Sequence, residues 1–527
     1  MGSSCICHHK KQNNSNSSLS QKNTQRCINL AGKGTKKMNP FFKNKTRTIR
    51  SSIYISNRED IHSVYEFQET IGAGYSGKVR KVFLKSNPSK IFVVKSINKD
   101  NLSLRQMNNL VKEVKLLSRL DHPNIIKYYE TYDDEEEFHI VMTYCTGGEL
   151  FDYIRNKGNL SEKESIKIIY QIIHGIAHCH SKSIIHRDLK AENILFETPS
   201  REIVKIIDFG LSIKSKDDTT LHSLVGTSKY ISPELITGEY DSKCDMWAIG
   251  VIFYLMLYGE YPFDDETNDR QKIFYKIQNK EPHYSNTTVS KKANEFLKHL
   301  LNKDPSKRYD AETALKDEWL ANEIKKEINL TIYNDIKVNK LQCIQPTKFI
   351  SILQSFLIKE IDEEEIKNIK KQYYVLGDNT GVVNLQKYSS TMTPNIIIDE
   401  GEEILTNKNI NIDELFSDNG ALKSKRKSGF EESTSFATMN HLDYTNFVIA
   451  SLKSKNMLDE KVMKNVFNRF DMDKKGNITI EDISKALRRI GKKFSDEQIR
   501  KMLTESGFKN VEHIFFDEFN KVFNSYL

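Results

Sequence analysis

The chain has 527 residues, room for roughly three or four domain-sized units, and its 38% hydrophobic and 28% charged content is ordinary for folded globular protein. It contains no run of about eighteen apolar residues, which excludes a membrane-spanning helix, and the apolar core of a secretory leader is missing. The seven cysteines (5, 7, 27, 145, 179, 244 and 343) share no metal-ligand spacing and form no framework of pairs, which points to a reducing compartment.

The net charge of +8 is uneven. Residues 1–60 carry twelve Lys/Arg against two Asp/Glu, a net of +10, which leaves the rest near −2. Residues 1–64 are rich in Asn, Ser, Lys and Gln without sustained periodicity, so they read as a disordered basic tail. Such a tail is either simply solvated or drawn to anionic lipid. Nucleic acid is not expected as a partner, because no aromatic residues interleave a folded basic patch. The opening "MGSSCIC" sets Gly2 ahead of Cys5 and Cys7, with His8, His9, Lys10 and Lys11 behind. This has the look of myristoylation plus palmitoylation, the two signals that stable anchoring requires. Ile6 departs from the preferred Ser or Thr, and a plain disordered start is the alternative. The expected location is cytoplasmic, peripheral at the cytoplasmic face of a membrane.

From Tyr65 the texture turns to strand-like runs such as "IFVVKSI" (91–97), then to amphipathic helices such as 108–120, and a compact α+β region runs to about Trp319. "IGAGYSGKV" supplies Ile71, Gly72, Ala73, Gly74, Gly77, Lys78 and Val79. Glycines let backbone N–H groups approach phosphates, although a dinucleotide-binding fold or a plain hairpin turn would offer a similar string. "VVK" then puts Lys95 on a following strand, and "KEVKLL" puts Glu113 on a helix where it can pair with that lysine. "HRDLKAEN" supplies Asp188, Lys190 and Asn193; "DFG" supplies Asp208; "SPE" follows at 232–234.

These five motifs, in this order over roughly residues 67–320, resemble the eukaryotic protein kinase family. The resemblance implies an α+β bilobal kinase fold at 65–320 that binds ATP and Mg2+ and acts on protein substrates. Phosphoryl transfer needs in-line positioning and charge neutralisation more than covalent help. Asp208 and Asn193 have the oxygens to hold Mg2+, a hard cation. Asp188 would take the substrate hydroxyl's proton, Lys190 would neutralise the moving phosphoryl group, Lys95 would fix the nucleotide and Glu113 would fix Lys95. Met142 stands at the gatekeeper position, followed by Thr143 where Glu is frequent. Lys190 two residues after Asp188, and Thr227 in "GTSKYISPE", match the Ser/Thr branch, while Ala191 stands where Pro is usual.

Glu149 in "GGELFD" and Glu192 in "KAEN" match acidic positions that read a basic residue three before the acceptor. They could equally be solvated surface carboxylates. Arg308 with Glu234 reads as a structural ion pair and Asp245 as a brace for the catalytic loop. The loop 211–231 carries Thr219, Thr220, Ser223 and Thr227, and Arg187 could meet a phosphate there, or Asp217 and Asp218 could supply that charge.

Residues 320–372 read as charged helices, 389–434 as loop, and 444 onward as helix again. "DMDKKGNITIED" (471–482) starts like a calcium loop. Its apolar eighth and tenth places, Ile478 and Ile480, recur 36 residues away as Leu442 and Tyr444, and again as Ile514 and Phe516. A further copy starts near Leu376, with Gly381 and Val383 in step. These repeats resemble the paired EF-hands of an all-α calmodulin-like domain. A kinase followed by four such units resembles the calcium-dependent protein kinases of plants and protists. The units fall at about 360–395, 425–455, 458–493 and 495–527 of a domain at 366–527, with a disordered insertion around 395–430.

The resemblance makes 321–365 an autoinhibitory junction in intramolecular contact with the kinase or the sensor domain. Its "KVNKLQCIQPTKFISIL" (337–353) suits a segment that blocks the active site or binds the sensor lobe, though an ordinary connecting helix is the plain alternative. Calcium wants oxygens at places one, three and five and a bidentate Glu at twelve. The first, second and fourth loops supply only part of this set, with Asp378, Ser435 and Glu518 among their donors, and none of the three is expected to bind calcium well. The third offers Asp471, Asp473 and Asn477, but puts Lys475 at place five and the shorter Asp482 at twelve. Ca2+ at this one degenerate loop is the remaining candidate. The alternatives are a calcium-independent kinase whose C-terminal domain docks proteins, or a scaffold, which would need a broken catalytic set.

Overall fold

The computed structural model describes residues 60–74, 77–214, 227–284, 288–327, 346–361, 366, 369–370, 373, 383–384, 441–454, 458, 460–490 and 492–527. Gly2, Cys5, Cys7, Thr219, Thr220, Ser223 and the 395–430 insertion lie outside them. The protein is a two-lobed α+β body, with a β-sheet N-terminal lobe and a helical C-terminal lobe, followed by a helical domain with short paired strands. Among the described residues no helix is long and apolar enough to cross a membrane.

The N-terminal lobe is an antiparallel sheet of β1 (Tyr65–Gly74), β2 (Gly77–Leu84), β3 (Asn87–Asn98), β4 (Tyr128–Asp133) and β5 (Glu137–Thr143), in the order β1-β2-β3-β5-β4. Alternation along β3 divides its faces. Phe92 and Val94 join Tyr65, Val82, Tyr132 and Val141 on the outer face. Val93 and Ile97 face inward, Val93 toward Ile71 and Val79, Ile97 toward Ile140 and Val114. Helix α1 (Leu104–Leu117) packs there, started by a capping box between Ser103 and Gln106.

In the C-terminal lobe, α2 (Leu150–Lys157) follows the interlobe connection, and α3 (Glu162–Ser181) starts from a Ser161–Glu164 capping box. Helix α4 (Lys243–Tyr258) is buried from Cys244 to Leu257, so its sequence is apolar all round. Short strands β6 (Ile184–Ile185), β7 (Ile194–Phe196), β8 (Val204–Ile206) and β9 (Ile213–Lys214) frame the loops between the lobes. The buried Arg308 guanidinium meets Glu234 through two contacts of 2.5 and 2.9 Å and also donates to the Lys243 and Asn302 carbonyls.

A second core belongs to α5 (Lys348–Glu360), α6 (Tyr444–Ser454), α7 (Glu460–Asn468), α8 (Ile480–Arg489), α9 (Asp496–Glu505) and α10 (Phe516–Tyr526). Its loops pair at their eighth places, 59 residues apart in the first pair and 36 in the second. Val383 of β10 (Val383–Asn384) opposes Leu442 of β11 (His441–Leu442), and Ile478 of β12 (Asn477–Ile478) opposes Ile514 of β13 (Ile514–Phe515). Two parts of the expected junction are described, 321–327, which ends the helix Glu318–Glu327, and helix α5. It buries Phe349, Ile350, Leu353, Phe356 and Leu357 inside this core, so this part binds the sensor domain and does not enter the active site. Residues 337–345 lie outside the described residues.

The two bodies touch through buried polar contacts. Lys370 Nζ donates to both oxygens of Glu197 at 2.9 and 2.8 Å, and Lys205 lies 3.0 Å from the same carboxylate. Burial would raise Glu197, but the two ammonium groups hold it down to about 2. The Thr445 N–H, in the first turn of α6, donates to Asp121 Oδ2 at 2.9 Å. Removing Arg308 would leave Glu234 buried and unpaired. Arg308→Ala is expected to lower stability by about 3–5 kcal/mol, read as a lower urea midpoint of the kinase transition.

Candidate active site

The glycine-rich segment is a β-hairpin, with Gly72 opposite Val79, Ala73 opposite Lys78 and Gly74 opposite Gly77; its tip, 75–76, lies outside the described residues. At Gly77, φ is +125° and a Cβ would lie 2.3 Å from the Ser96 carbonyl oxygen, so close strand packing alone demands glycine there. Ile71, Val79 and Val93 form an apolar roof against Met142 and Tyr144. Beneath it a slot is lined by Val93, Met142, Cys145 and Leu195, with Lys95 and Asp208 at its polar end. Lys78 is exposed and outside this lining. Cys145 and Leu195 were not singled out from the sequence. Their spacing after Met142 and Asn193 is the signal that could have found them.

Lys95 comes from β3 and Glu113 from α1. Burial alone would lower the Lys95 ammonium, yet the carboxylates of Glu113 and Asp208 beside it raise it above its ordinary range. A Cβ built at Gly210 would lie 3.2 Å from Asp208 Oδ1 and 3.6 Å from Glu113 Oε2, so the helix carboxylate has swung in to the Asp208 turn. Phe209 is buried edge-on to the His186 ring, 4.7 Å between centroids.

The catalytic loop is held by Asp245. Its oxygens accept the His186 N–H at 2.9 Å and the Arg187 N–H at 2.8 Å, and His180 Nε2 lies 2.9 Å away. Burial would raise this carboxyl, but the hydrogen bond and charge of His180 keep it below its ordinary value. Arg187 (φ +67°) and Asp208 (φ +61°) both take left-handed backbone, a strain of about 1–3 kcal/mol each that the surrounding contacts must offset. The Arg187 side chain donates to the Leu211 carbonyl (2.6 Å) and the Tyr240 hydroxyl (2.8 Å); residues 215–226 lie outside the described residues.

Asp188, Lys190, Asn193 and Thr227 converge. Lys190 Nζ donates to Asp188 Oδ2 at 2.8 Å and to Thr227 Oγ1 at 3.1 Å. The Thr227 hydroxyl and N–H donate to Asp188 Oδ1 at 3.0 and 3.1 Å. Asn193 Nδ2 donates to the Asp188 carbonyl at 2.9 Å, which leaves its amide oxygen as the ligand-capable end. That oxygen and the Asp208 carboxylate are the hard donors Mg2+ takes, so the residues fit the ion. Chemically, the group can orient a hydroxyl beside a carboxylate and a fixed ammonium.

Glu149 immediately precedes α2 and is 4% exposed, so it is no freely solvated carboxylate. Glu192 is half-buried and accepts the Tyr230 hydroxyl at 3.1 Å.

The third C-terminal loop departs from a full calcium donor set at two places, with Lys475 at the fifth and the shorter Asp482 at the twelfth. Asp471 accepts the Lys475 N–H at 2.9 Å and the Gly476 N–H at 2.8 Å. Asp482 Oδ2 accepts the Thr479 N–H and hydroxyl at 2.9 and 2.6 Å, in the cap of α8. The Lys475 ammonium pairs with Asp473, and the Asn477 side chain is 3.2 Å from His513. Among the described residues, no group of three or more His, Cys, Asp or Glu could hold a metal ion.

Family models for the protein kinase domain and for the EF-hand domain pair match residues 65–320 and 460–524. Calcium-dependent protein kinase 5 of Plasmodium falciparum (isolate 3D7) is 31% identical over 499 residues, 92% of this chain and 82% of that one. Calcium-dependent protein kinase 3 of Plasmodium berghei (strain Anka) is 32% identical over 483 residues, covering 88% and 80%. CDPK-related kinase 1 of Arabidopsis thaliana is 31% identical over 444 residues, covering 81% and 72%. Asp188→Asn is expected to lower kcat on a basic peptide by about a hundredfold or more, and Thr227→Val by a smaller factor. Steady-state phosphorylation assays check both, and unchanged turnover would contradict these roles.

Proposed function

The chain belongs to the calcium-dependent protein kinase family, and from that premise we propose that Asp188 is the group that receives the proton of the substrate serine or threonine hydroxyl. The protein is a serine/threonine kinase with an EF-hand regulatory domain. The observation that carries the assignment is the Thr227 hydroxyl, held between Asp188 at 3.0 Å and Lys190 at 3.1 Å. It fixes the carboxylate's orientation and keeps the ammonium beside the path of the transferred group. Lys190, 4% exposed, is a cation in a low-dielectric site, where its field on the developing charge is strong. Lys95, kept charged by Glu113, orients the ATP phosphates under the Ile71–Val79–Val93 roof. Asn193 and Asp208 would hold Mg2+, which neutralises phosphate charge when bound.

Glu149 and Glu192 form the acidic part of the peptide site and select substrates with a basic residue before the acceptor. The Glu149 backbone bridges to Leu195 and Glu192 stands between Lys190 and Asn193, so both residues adjoin the catalytic loop, where a basic residue before the acceptor complements their charge. Peptide kinetics test this. Glu192→Lys and Glu149→Lys should raise KM for a peptide with Arg three before the acceptor by about tenfold or more, with KM for ATP little changed. Equal loss on peptides lacking that arginine would contradict the assignment.

Gly2 and Cys5 or Cys7 carry the acyl chains that hold the kinase at a membrane surface, supported by the +10 net charge of residues 1–60. Gly2→Ala should move the protein from the membrane pellet to the soluble fraction. Unchanged partition would contradict the anchor.

A further inference from the structure

Glu130 lies on β4 with its carboxylate on the outer face of the N-terminal sheet, 1% exposed. Two tyrosine hydroxyls donate to it, Tyr132 at 2.7 Å and Tyr65 at 3.1 Å. A carboxylate so enclosed calls for a nearby cation, and the C-terminal domain supplies one. Arg469, in the turn after α7, brings Nη1 to 4.0 Å from Glu130 while its Nε donates to Glu360 at 2.8 Å. Glu360 ends α5, so a single buried guanidinium joins the kinase, the junction helix and the sensor domain.

The contact bears on the nucleotide site through strand register. Glu130 pairs across with Val141, and Val141 pairs with Val94. Lys95 is the next residue along β3 and so faces the opposite side, into the slot. β4 is an edge strand, the part of a sheet most free to shift unless covered, and α8 packs against it.

Arg469 also stands two residues before the loop that begins at Asp471. Within that loop Asp471 accepts from the Lys475 and Gly476 N–H groups, and Lys474 and Gly476 adopt left-handed backbone. The Lys475 ammonium pairs with Asp473 at the place where calcium would take an oxygen.

We propose that Arg469 is a positioning residue for the phosphoryl transfer: seated on Glu130 it fixes the strands that present Lys95. The inference rests on the kinase assignment above. The test uses the full-length protein with a basic peptide and ATP, in excess chelator and in excess calcium. Arg469→Met should raise KM for ATP or lower kcat about tenfold with KM for peptide unchanged, and Arg469→Lys should recover much of the loss. Glu130→Gln, nearly isosteric, should reproduce the effect, and the double variant should be no worse than either single one.

Full activity of Arg469→Met, additive effects of the two variants, or loss in Arg469→Lys as deep as in Arg469→Met would overturn the role of Arg469. Should Arg469→Met not fold by circular dichroism, Glu130→Gln alone decides, and its unaltered kinetics would sink the contact. Wild type inactive on every peptide in both conditions would count against the kinase assignment itself, a result distinct from any of these.

Discussion

The buried carboxylate of Asp245 accepts the backbone N–H groups of His186 and Arg187 and faces His180, and the placement of the reacting groups depends on that arrangement. Arg187 and Asp208 occupy backbone conformations that neither would choose alone. With the first turn fixed, Asp188 faces Lys190 and Thr227, whose contacts leave it little rotational freedom. The strain is local, while the groups that over-determine it come from α3, α4 and the segment before the Ser-Pro-Glu motif. Catalytic geometry is therefore a property of the C-terminal lobe's core, and nucleotide geometry of a separate sheet. The two meet at Asp208, Lys95 and Glu113.

The sensor domain adds a second level of organisation on the sheet's other side. Three kinase carboxylates, Asp121, Glu130 and Glu197, meet the Thr445 N–H, Arg469 and Lys370. Lys127 and Lys205 flank two of them from within the kinase. Desolvating so many charges gains little net stability, and a well-packed apolar interface would hold as firmly. Buried ion pairs do penalise wrong arrangements, because a shifted domain strands a charge. The contact set thus specifies how the domain sits more than how tightly it holds.

Much of this was legible in the sequence, and for physical reasons. Asp188, Lys190, Asn193 and Asp208 sit at short, fixed spacings because their loops are tight. The apolar repeat was legible because paired EF-hand loops need matching β residues, here Ile478 with Ile514 at the period of 36 and Val383 with Leu442 across the longer first interval. Gly77 was legible as glycine but assigned to phosphate approach, whereas its closest neighbour is the Ser96 carbonyl. The junction's apolar residues suit either the active site or the sensor lobe, and periodicity carries no information about which surface covers them. Arg469 and Glu130 were invisible, since a charged residue in a turn and another on a strand look solvated until two domains bury them together.

The third loop shows how a fold element outlives its ligand chemistry. A metal-binding loop must hold several oxygens inward while unpaired, a state that repels itself until the ion arrives. Here Asp471 also accepts from backbone N–H groups and Asp482 from the Thr479 cap, so both carboxylates take part in the loop's own conformation. Lys475 puts a positive charge of the chain itself at the fifth place. It is exposed, so its pairing with Asp473 adds little energy. The β12–β13 pairing and the helices on either side need only the turn's shape. Residues such as Ile478 and Ile480 therefore keep the period of the repeat, while the ligand places have changed their chemistry.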